Sequence, residues 1–495
     1  MQDVVMPTVT VQQMREIEQR AIRSGVSQAE LMELAGVALG RAIGNQYREV
    51  GMAVAYVGKG HNGGDALIAL RVLQEEFGWH VGVRSGFGIE EWSYLTQVQW
   101  DELDSEELLE KRFENQFCGP LLLIDGLLGI GAKGALRNSI LEMADEMNRL
   151  RNERGATVVA VDLPSGVDPD TGEVFPAAVM ADRTFTIGVA KTGLLLAESV
   201  NAVGQLALVT VDGLESQGSG AMELICPQNM AFGKMPRPFD FHKGQAGRVG
   251  IVAGSASFTG AALLVALGAI RAGAGLVTLY VRSEFADAIR SRLPFEVMLK
   301  ICDDAAALLE EKLDAIVLGP GIGEVSKAGG FLKLIEKTKV PMVIDADGLN
   351  LIAEQKIKTD SRHVLTPHPR EFARLAPDLV GLKREDAALA FVEKSASVLL
   401  LKGARTIVAR RGESLRINST GTPAMSNGGQ GDLLSGVLGS LLAGGMDCFD
   451  AAAYGAWLCG HAAEIAQADH GDVCTATDTA ARVADAMRDW RRGGR

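Results

Sequence analysis

The sequence has few cysteines, and none of them has the spacing of a metal knuckle or a redox dithiol. Because no two stand in a Cys-x-x-Cys pair, a zinc knuckle and a catalytic dithiol are both disfavoured. Cys459 and His461 fall in an apolar helical run, where packing is the favoured interpretation and a metal site is the alternative. The pattern predicts a reduced protein. The six cysteines are Cys118, Cys226, Cys302, Cys448, Cys459 and Cys474.

Basic residues and long apolar runs are also lacking. Lysine and arginine number 49 against 62 aspartate and glutamate, which gives a net charge of −13. Non-specific nucleic-acid binding requires a basic surface, so we expect no nucleic-acid partner. No apolar run reaches the roughly 18 residues of a membrane span. The first residues lack a basic stretch followed by an apolar core, so we expect no signal peptide, no membrane partner and a cytoplasmic location.

Glycine, by contrast, is abundant, with 58 residues that cluster at turns between apolar strands and helices. This alternation of strands and helices predicts a parallel, doubly wound α/β fold. The pattern dissolves at residues 214–240, which are rich in glycine, serine and proline, and then starts again. A chain of 495 residues is long enough for more than one domain. We therefore predict two doubly wound domains, residues 1–220 and 221–495.

Several elements have local signals in the sequence. Thr10 and Ser27 are predicted N-caps, the second within a Ser-x-x-Glu capping box. Gly58 to Asp65 is predicted to be a loop, followed by a helix from Ala66 to Phe77. Ala181 to Ile187 mixes polar and apolar residues and is interpreted as an edge strand. The other predicted strands are Met52–Val57, Val81–Val83, Leu121–Ile124, Thr157–Val161, Arg248–Ala253, Gly275–Val281, Ala315–Leu318, Pro341–Ile344 and His363–Leu365.

The segment Asn427 to Asp432 is a glycine-rich loop followed by an apolar run that predicts a buried helix. Its glycines leave backbone N–H groups free to converge on an anion, and a helix N-terminus favours phosphate. A carboxylate at Asp432 would repel a resting phosphate. It fits instead a base that takes a proton from a hydroxyl while the amides stabilise the transferring phosphoryl group. The alternative is an ordinary turn capped by Asp432.

Three predicted strand ends in the N-terminal half also carry polar and glycine residues: Gly58–Asp65, Asp125–Gly131 and Val161–Asp168. Each alone is compatible with a tight turn and a capping aspartate, but three in one parallel sheet converge on one crevice. Asn62, Asp125 and Ser165 supply amide, carboxylate and hydroxyl oxygens suited to a hard cation. Asp162 would be a titratable group near a bound ligand.

These strand ends resemble those of the NAD(P)H-hydrate epimerase family over about residues 10–215. The family loop Asn-Asn-Gly-Gly-Asp corresponds to His61 to Asp65, and Lys191 to Gly193 matches near the end of the resemblance. The chain departs at His61, where the family usually has asparagine, and at Ala66, where it usually has glycine. The resemblance implies a Rossmann-like domain that interconverts the R and S forms of hydrated NADH and NADPH.

The same resemblance assigns roles to individual residues. Asn62, Asp125 and Ser165 would hold potassium, and we take Asp162 as the candidate catalytic acid or base. The implied substrate contacts are His61, Asn62, Gly63, Gly64, Asp65, Gly129, Ile130, Gly131, Ala132, Lys133, Gly134, Ala135 and Asp162.

The C-terminal half has a second series of glycine-rich and polar segments: Gly254–Ala262, Arg271–Val277, Gly319–Gly323, Asp345–Asn350, Thr366–Glu371 and Lys402–Thr406. With the loop before Asp432, this order resembles the ADP- or ATP-dependent NAD(P)H-hydrate dehydratases, which have a ribokinase-like fold. The resemblance runs from about residue 225 to the end. It implies substrate contacts at Ala261, Gly323, His368 and Asp432. For His368, a histidine whose hydrogen bonds are satisfied within its loop is the alternative.

The dehydratase resemblance also implies a nucleotide site. Thr422 stands where bacterial relatives usually have asparagine. The implied nucleotide contacts are Lys402, Gly403, Ala404, Arg405, Thr406, Thr422, Pro423, Ala424, Met425, Ser426, Asn427, Gly428, Gly429, Gln430 and Gly431.

The two resemblances, in this order, are those of the bifunctional NAD(P)H-hydrate repair enzymes of bacteria. They imply that the S form is dehydrated with ADP, giving AMP and phosphate, with Asp432 as the base. The implied cofactors are K⁺ in the N-terminal domain and Mg²⁺ in the C-terminal domain, and we expect a homo-oligomer. Because ribokinase-like folds share the Gly-x-Gly-Asp loop, a vitamin or sugar kinase is the rival enzyme. The other alternative is an N-terminal half that is a non-catalytic binding module.

Overall fold

The computed structural model describes residues 7–103, 119–216, 220–228, 230, 233, 237–323 and 329–493. The chain forms two compact units, which divide between Leu224 and Ile225. Each unit contains a largely parallel sheet with apolar clusters on both faces. The predicted doubly wound α/β class is therefore confirmed.

The N-terminal unit has a six-stranded sheet in which all paired strands are parallel. Its strands are β1 (Met52–Val57), β2 (His80–Arg84), β3 (Leu121–Gly126), β4 (Thr157–Val161), β5 (Arg183–Ile187) and β6 (Gln205–Val209). They lie in the order β2-β1-β3-β4-β5-β6. Its helices are α1 (Val11–Arg23), α2 (Gln28–Gln46), α3 (His61–Phe77), α4 (Tyr94–Glu102), α5 (Asn138–Arg154) and α6 (Val200–Val203).

Helices cover both faces of this sheet. On one face, Leu39 of α2 and Leu70 of α3 are fully buried in a single cluster with strand residues. On the other face, Met143 of α5 is buried in a second cluster. Helices α2 and α3 approach closely because Gly40 has no side chain; a Cβ there would lie 2.7 Å from the Val72 Cβ. This packing fixes α3, whose first turn carries the predicted loop residues.

The C-terminal unit contains nine strands of a ten-stranded sheet, which is parallel from β10 to β14 and antiparallel from β14 to β16; the tenth strand, β7, ends at the boundary between the units. The strands of this sheet are β7 (Met222–Leu224), β8 (Arg248–Val252), β9 (Leu276–Val281), β10 (Val297–Ile301), β11 (Ala315–Leu318), β12 (Met342–Ile344), β13 (His363–Leu365), β14 (Val398–Leu401), β15 (Thr406–Ala409) and β16 (Leu415–Asn418). They lie in the order β10-β9-β8-β11-β12-β13-β14-β15-β16-β7. Its helices are α7 (Thr259–Arg271), α8 (Ala286–Arg290), α9 (Gly329–Lys337), α10 (Asp347–Gln355), α11 (Pro369–Leu375), α12 (Arg384–Lys394), α13 (Gln430–Ala443), α14 (Cys448–His470) and α15 (Ala476–Arg491).

Helix α13 lies in the main apolar cluster of this unit, together with residues of α7, α14 and α15. Helices α7 and α13 pack backbone to backbone. A Cβ on Gly436 would lie 2.0 Å from the Val265 carbonyl oxygen, so only glycine fits at that position. The predicted buried helix after Asp432 is confirmed, and its close packing holds Asp432 in place.

Both predicted N-caps are confirmed, but the predicted start of the third helix is wrong. Thr10 Oγ1 accepts a hydrogen bond from the Gln13 amide, and Ser27 accepts one from the Glu30 amide. Helix α3 begins at His61 rather than at Ala66, so the last five residues of the predicted loop form its first turns. Glycines are poor helix formers, which misled the prediction. Glycine is required here because a Cβ would lie 2.7 Å from the Gly58 carbonyl oxygen at Gly63 and 2.6 Å from Met32 Sδ at Gly64.

The interpretation of residues 181–187 as an edge strand is wrong. Strand β5 lies between β4 and β6, and β6 forms the edge. The polar residues of β5 are buried because they are hydrogen-bonded, not because they face water. Thr184 Oγ1 donates to the Val203 carbonyl at 2.8 Å, and Thr186 Oγ1 donates to Asp162 Oδ1 at 3.3 Å.

Candidate active sites

Three adjacent strands of the N-terminal sheet end at a common edge. Strand β3 pairs with both β1 and β4, and the register places Asp125 beside Tyr56 on one side and Ala160 on the other. Asp162 follows the last residue of β4 directly. The structure therefore brings the three predicted strand ends together.

The three predicted cation ligands lie around the backbone of Leu127 and Leu128, and Asp125 Oδ1 accepts a hydrogen bond from the Leu127 amide at 3.2 Å. Asn62 Nδ2 donates to the Leu128 carbonyl at 3.0 Å, and the Leu128 amide donates to Ser165 Oγ at 3.0 Å. Asp125 accepts hydrogen bonds from Ser165 Oγ and from the Ser165 amide, both at 2.7 Å. Burial raises the pKa of Asp125 to about 6, although these hydrogen bonds oppose the shift. Its donors are all neutral, so a bound cation fits this buried carboxylate.

Asp162 is held by a buried lysine that the sequence analysis gave no role. Lys191 is 1% exposed and forms an ion pair with Asp162 Oδ1, while its Nζ also donates to the Ile187 carbonyl at 3.0 Å. The Ile187 amide donates to the same Asp162 oxygen at 2.9 Å. Asp162 has a positive φ of 65°. Such strained backbone at a non-glycine residue is typical of functional sites.

Two further carboxyl groups lie near this ion pair. Burial raises the pKa of Asp65 well above its usual range, and the negative charges of Asp162 and Glu18 raise it further. Burial also raises the pKa of Glu18, while Lys191 lowers it. Asp65, with its raised pKa, thus adds a second carboxyl group beside the Asp162–Lys191 pair. Glu18 was not predicted, because nothing in its own helix indicates a site.

The other predicted epimerase contacts lie in two segments, the first turn of α3 and the loop that follows β3. Asn62, Gly63 and Gly64 are buried in the first turn of α3, whereas His61 is exposed beside Gln28. Residues 129–135 follow β3 as a largely exposed loop. The two segments meet at residue 129, where a Cβ would lie 3.4 Å from the Asn62 Cβ.

In the C-terminal unit, Asp432 lies in the first turn of α13. The N-cap of this helix is Gly429, with a φ of 95°, so the alternative that Asp432 merely caps a turn is wrong. Burial raises the pKa of Asp432 to about 6, and the nearby carboxylates, Asp345 first among them, add to the shift. Lys402 opposes it. Asp432 is therefore a stronger base than an ordinary aspartate.

Lys402 lies beside the glycine loop and forms its ion pair with Asp345 rather than with Asp432. Its Nζ is 2.7 Å from Asp345 Oδ1 and 3.8 Å from Glu371 Oε2. The second oxygen of Asp345 accepts a hydrogen bond from Ser435 Oγ at 2.8 Å. A Cβ on Gly431 would lie 3.4 Å from Lys402 Nζ. The lysine ammonium group and the amides of the glycine loop therefore lie next to the same space. This combination suits a phosphate group.

The predicted dehydratase contacts approach this space from other loops. The Gly323 amide donates to Asp347 Oδ2 at 3.0 Å, and Asp347 is among the charges acting on Asp432. Ala261 lies against the same loop, with its Cβ 3.0 Å from where a Cβ on Gly321 would be.

His368 has a local role that the sequence only partly indicated. It is the N-cap of α11, and its Nδ1 accepts hydrogen bonds from the Arg370 and Glu371 amides at 3.1 and 3.3 Å. Because Nδ1 is an acceptor, the ring proton lies on Nε2. The side chain is 44% exposed, and Nε2 is 3.5 Å from Glu371 Oε1. The hydrogen bonds of Nδ1 fit the alternative of a histidine satisfied within its loop, and the ligand contact stays a prediction.

The nucleotide-binding prediction covers two segments with different exposure. In the first, Arg405 is buried and donates to the Ser419 carbonyl at 3.4 Å, so its side chain does not face a ligand. Burial lowers the pKa of Arg405 to about 10. In the second, Asn427 Nδ2 and Gln430 Nε2 both donate to the Cys474 carbonyl, at 2.6 and 3.1 Å. Those bonds leave the glycines between them available to a ligand.

Within the described residues, no group of three or more His, Cys, Asp or Glu side chains is arranged to hold a metal ion. Cys459 is buried in the apolar cluster, and His461 contacts Glu464 and Asp489. Cys118 lies outside the described residues. No helix in the described part of the chain has the length and apolar composition that crossing a membrane requires.

Two family models match the chain. The model described as YjeF-related protein N-terminus matches residues 28–193. The model described as NAD(P)H-hydrate dehydratase matches residues 249–484. The two matches thus include Asp162 and Asp432, respectively.

Among curated proteins, the chain is similar to several named bifunctional NAD(P)H-hydrate repair enzyme Nnr. It is 36% identical to the one from Gloeobacter violaceus, over 87% of this chain and 88% of that protein. It is 33% identical to the Escherichia coli protein, over 90% and 87% of the two chains. Among solved structures, an ADP/ATP-dependent NAD(P)H-hydrate dehydratase from Bacillus subtilis, co-crystallised with ATP and Mg²⁺, is 28% identical. The match covers 52% of this chain and 94% of that one, with a TM-score of 0.47.

Proposed function

The chain belongs to the family of bifunctional NAD(P)H-hydrate repair enzymes, and we propose that its two units repair hydrated NADH and NADPH in successive reactions. The N-terminal unit interconverts the R and S forms. The C-terminal unit dehydrates the S form with ADP. The observation that carries this proposal is Asp432, a carboxylate of raised pKa beside Lys402 and the glycine loop.

In the C-terminal unit, the chemistry begins at the hydroxyl on C6 of the hydrated nicotinamide ring. Asp432 takes the hydroxyl proton while the oxygen attacks the terminal phosphorus of ADP, and the bond to AMP breaks. Lys402 and the amides of Gly428 to Gly431 stabilise the phosphoryl group in transit. Phosphate then leaves C6 as the ring nitrogen supplies electrons. Loss of a proton from C5 restores the double bond of NADH or NADPH.

Magnesium fits this unit because Asp345, Asp347 and Glu371 all add negative charge around Asp432. A divalent cation accompanying the nucleotide phosphates would offset that charge. The remaining predicted nucleotide contacts would hold ADP through backbone groups of the two loops. Lys402 then bridges the acidic side chains and the phosphates.

In the N-terminal unit, Asp162 is proposed to move the proton that epimerisation requires. Lys191 fixes its orientation, and Asp65, whose pKa is raised by burial, provides a second carboxyl nearby. Potassium held by Asn62, Asp125 and Ser165 would supply positive charge beside the substrate. The predicted contacts at residues 61–65 and 129–135 would enclose the hydrated ring from both sides.

The kinase alternative is not favoured, because relatives matched over most of the chain carry the repair enzyme's name. The intact Asn62, Asp125 and Ser165 cluster likewise argues against a non-catalytic binding module. A homo-oligomer and a cytoplasmic location stay predictions.

The test is to follow NADH absorbance while the purified protein acts on racemic NADH hydrate with ADP, potassium and magnesium. We expect complete recovery of NADH and one AMP for each NADH formed. Recovery that stops near half of the hydrate would support the dehydratase activity and contradict the epimerase activity. No recovery with ADP or with ATP would refute the repair function and favour the alternative of a small-molecule kinase.

A further inference from the structure

We propose that His461 is a positioning residue, which fixes the start of the nucleotide-binding loop by holding Glu464 in place. The inference rests on the proposed role of residues 422–431 in binding ADP. His461 and Glu464 lie on α14. The sequence favoured packing for His461, with a metal site as the alternative, and gave Glu464 no role.

His461 bridges two carboxylates from two helices. Its Nδ1 is 3.1 Å from Glu464 Oε2, and its Nε2 is 3.1 Å from Asp489 Oδ2 on α15. Carboxylate oxygens only accept hydrogen bonds, so both ring nitrogens must carry protons. Burial by itself would lower the pKa of His461, but the two carboxylates outweigh it and raise the pKa to about 9. The bridge is therefore a charged imidazolium at neutral pH.

Glu464 links this bridge to the loop. Its second oxygen, Oε1, accepts a hydrogen bond from the Gly421 amide at 2.9 Å. One turn further along α14, Gln467 Oε1 accepts a hydrogen bond from Thr422 Oγ1 at 2.6 Å. Helix α14 thus holds two successive residues at the point where the nucleotide segment begins.

The chain before the loop also lies directly on α14. A Cβ on Gly460 would be 2.2 Å from Thr420 Oγ1, and Thr420 Oγ1 donates to the Trp457 carbonyl at 3.1 Å. This contact leaves little room for the segment to shift while the Glu464 bond is intact. The Glu464 hydrogen bond therefore fixes the position of Gly421, directly before the nucleotide-binding segment.

Loss of the imidazolium would remove the positive charge that His461 places between Glu464 and Asp489, and the two carboxylates would repel each other. Other charged groups near them are Arg405, which acts on Glu464, and Arg488, whose Nε is 3.8 Å from Asp489 Oδ1. Glu464 would then turn away and release the Gly421 amide.

The direct test is hydrogen exchange of the amides in residues 419–431 of the full-length chain. We expect His461→Gln to speed exchange in this segment about tenfold. His470→Gln is the matched control, because His470 lies on the same helix, is 49% exposed and is 4.0 Å from Asp478. The control should leave exchange unchanged. Equal exchange in His461→Gln and the wild-type protein would overturn the inference.

Kinetics with ADP separate positioning from simple packing. We expect His461→Gln to raise the KM for ADP about tenfold with kcat nearly unchanged. The double variant His461→Gln/Asp489→Asn removes the unbalanced charge and should recover most of the affinity. A lower melting temperature with an unchanged KM would mean that His461 is only structural. If the wild-type chain does not bind ADP at all, the proposed function fails, while hydrogen exchange still decides whether His461 holds the segment.

Discussion

Asp162 and Asp432 are both partly buried carboxylates beside a lysine, yet the two lysines are placed differently. Lys191 is bonded directly to Asp162. Lys402 is instead bonded to Asp345 at 2.7 Å and lies beside the glycine loop. In the N-terminal site the lysine charge balances the candidate catalytic carboxylate itself. In the C-terminal site it remains next to the space for phosphate, and Asp432 keeps a raised pKa.

The difference fits the two proposed reactions. A proton transfer in epimerisation would be helped by a carboxylate held in a fixed orientation. Phosphoryl transfer needs a base strong enough to accept a hydroxyl proton and a separate cation for the phosphoryl oxygens. Two sites built on similar sheets thus use the same pair of residue types in two arrangements.

The strongest test of this contrast is Asp432→Asn. The amide keeps the shape of the side chain but cannot take a proton. We expect about a thousandfold loss of dehydration, within the range for removal of a general base. The NADH formed with ADP measures this loss, and epimerisation, followed by chromatography of the two hydrate forms, is the control. Equal loss of both activities would indicate that the variant is misfolded.

Lys191→Met tests the N-terminal half of the comparison. Removing one partner of a buried ion pair costs about 3–5 kcal/mol of stability, because the remaining carboxylate is left unbalanced. We expect epimerisation to fall about a hundredfold, with dehydration of the pure S form unchanged. The double variant Lys191→Met/Asp162→Asn should recover stability but not activity. If Lys191→Met epimerises at the normal rate, the ion pair has no catalytic role.

The sequence predicted the site loops better than the charges around them. The glycine loop, both N-caps and the strand ends have signals within a few residues. The partnership of Lys191 with Asp162 depends on the turn after β5, and that of Lys402 with Asp345 depends on two distant segments. A charge network of this kind arises only when the chain folds, so no local pattern predicts it.

The start of α3 could not be predicted for a related reason. The glycines of its first turn weigh against a helix by propensity. In the fold, a Cβ on Gly64 would lie 2.6 Å from Met32 Sδ, so close packing with α2 requires glycine there. Tertiary contact decided the local structure.

The pH dependence of dehydration tests the raised pKa of Asp432. Because the base must be deprotonated, the rate should be constant above about pH 6 and fall about tenfold for each unit below it. Asp345→Asn removes a charge that raises this pKa, so the inflection should move to lower pH. A rate profile of kcat/KM from pH 4.5 to 8 would measure both. An inflection that stays in place would mean that another group controls the reaction.

Removal of potassium should affect only the N-terminal site. Without a cation, Asp125 is a buried carboxylate whose pKa is raised to about 6 by burial, and the loop around Leu128 loses a fixed charge. We expect epimerisation to fall about tenfold when sodium or a bulky organic cation replaces potassium, because the site's electrostatics weaken. Dehydration of the S form is the control. If both activities fall together, potassium acts elsewhere in the chain.

The smallest effect is expected at His61, where this chain departs from the family's usual asparagine. Its side chain is exposed at the first position of α3, and its Nδ1 lies 3.4 Å from Gln28 Nε2. Asn62, by contrast, is buried and bonded to Leu128, so the proposed cation ligands do not depend on His61. His61→Asn should therefore change epimerisation by less than about threefold, which is under 1 kcal/mol. Steady-state rates on separated R and S hydrates would measure it. A change of tenfold or more would place His61 among the groups that act on the ring and would add an imidazole to the carboxyl and lysine groups of the N-terminal site.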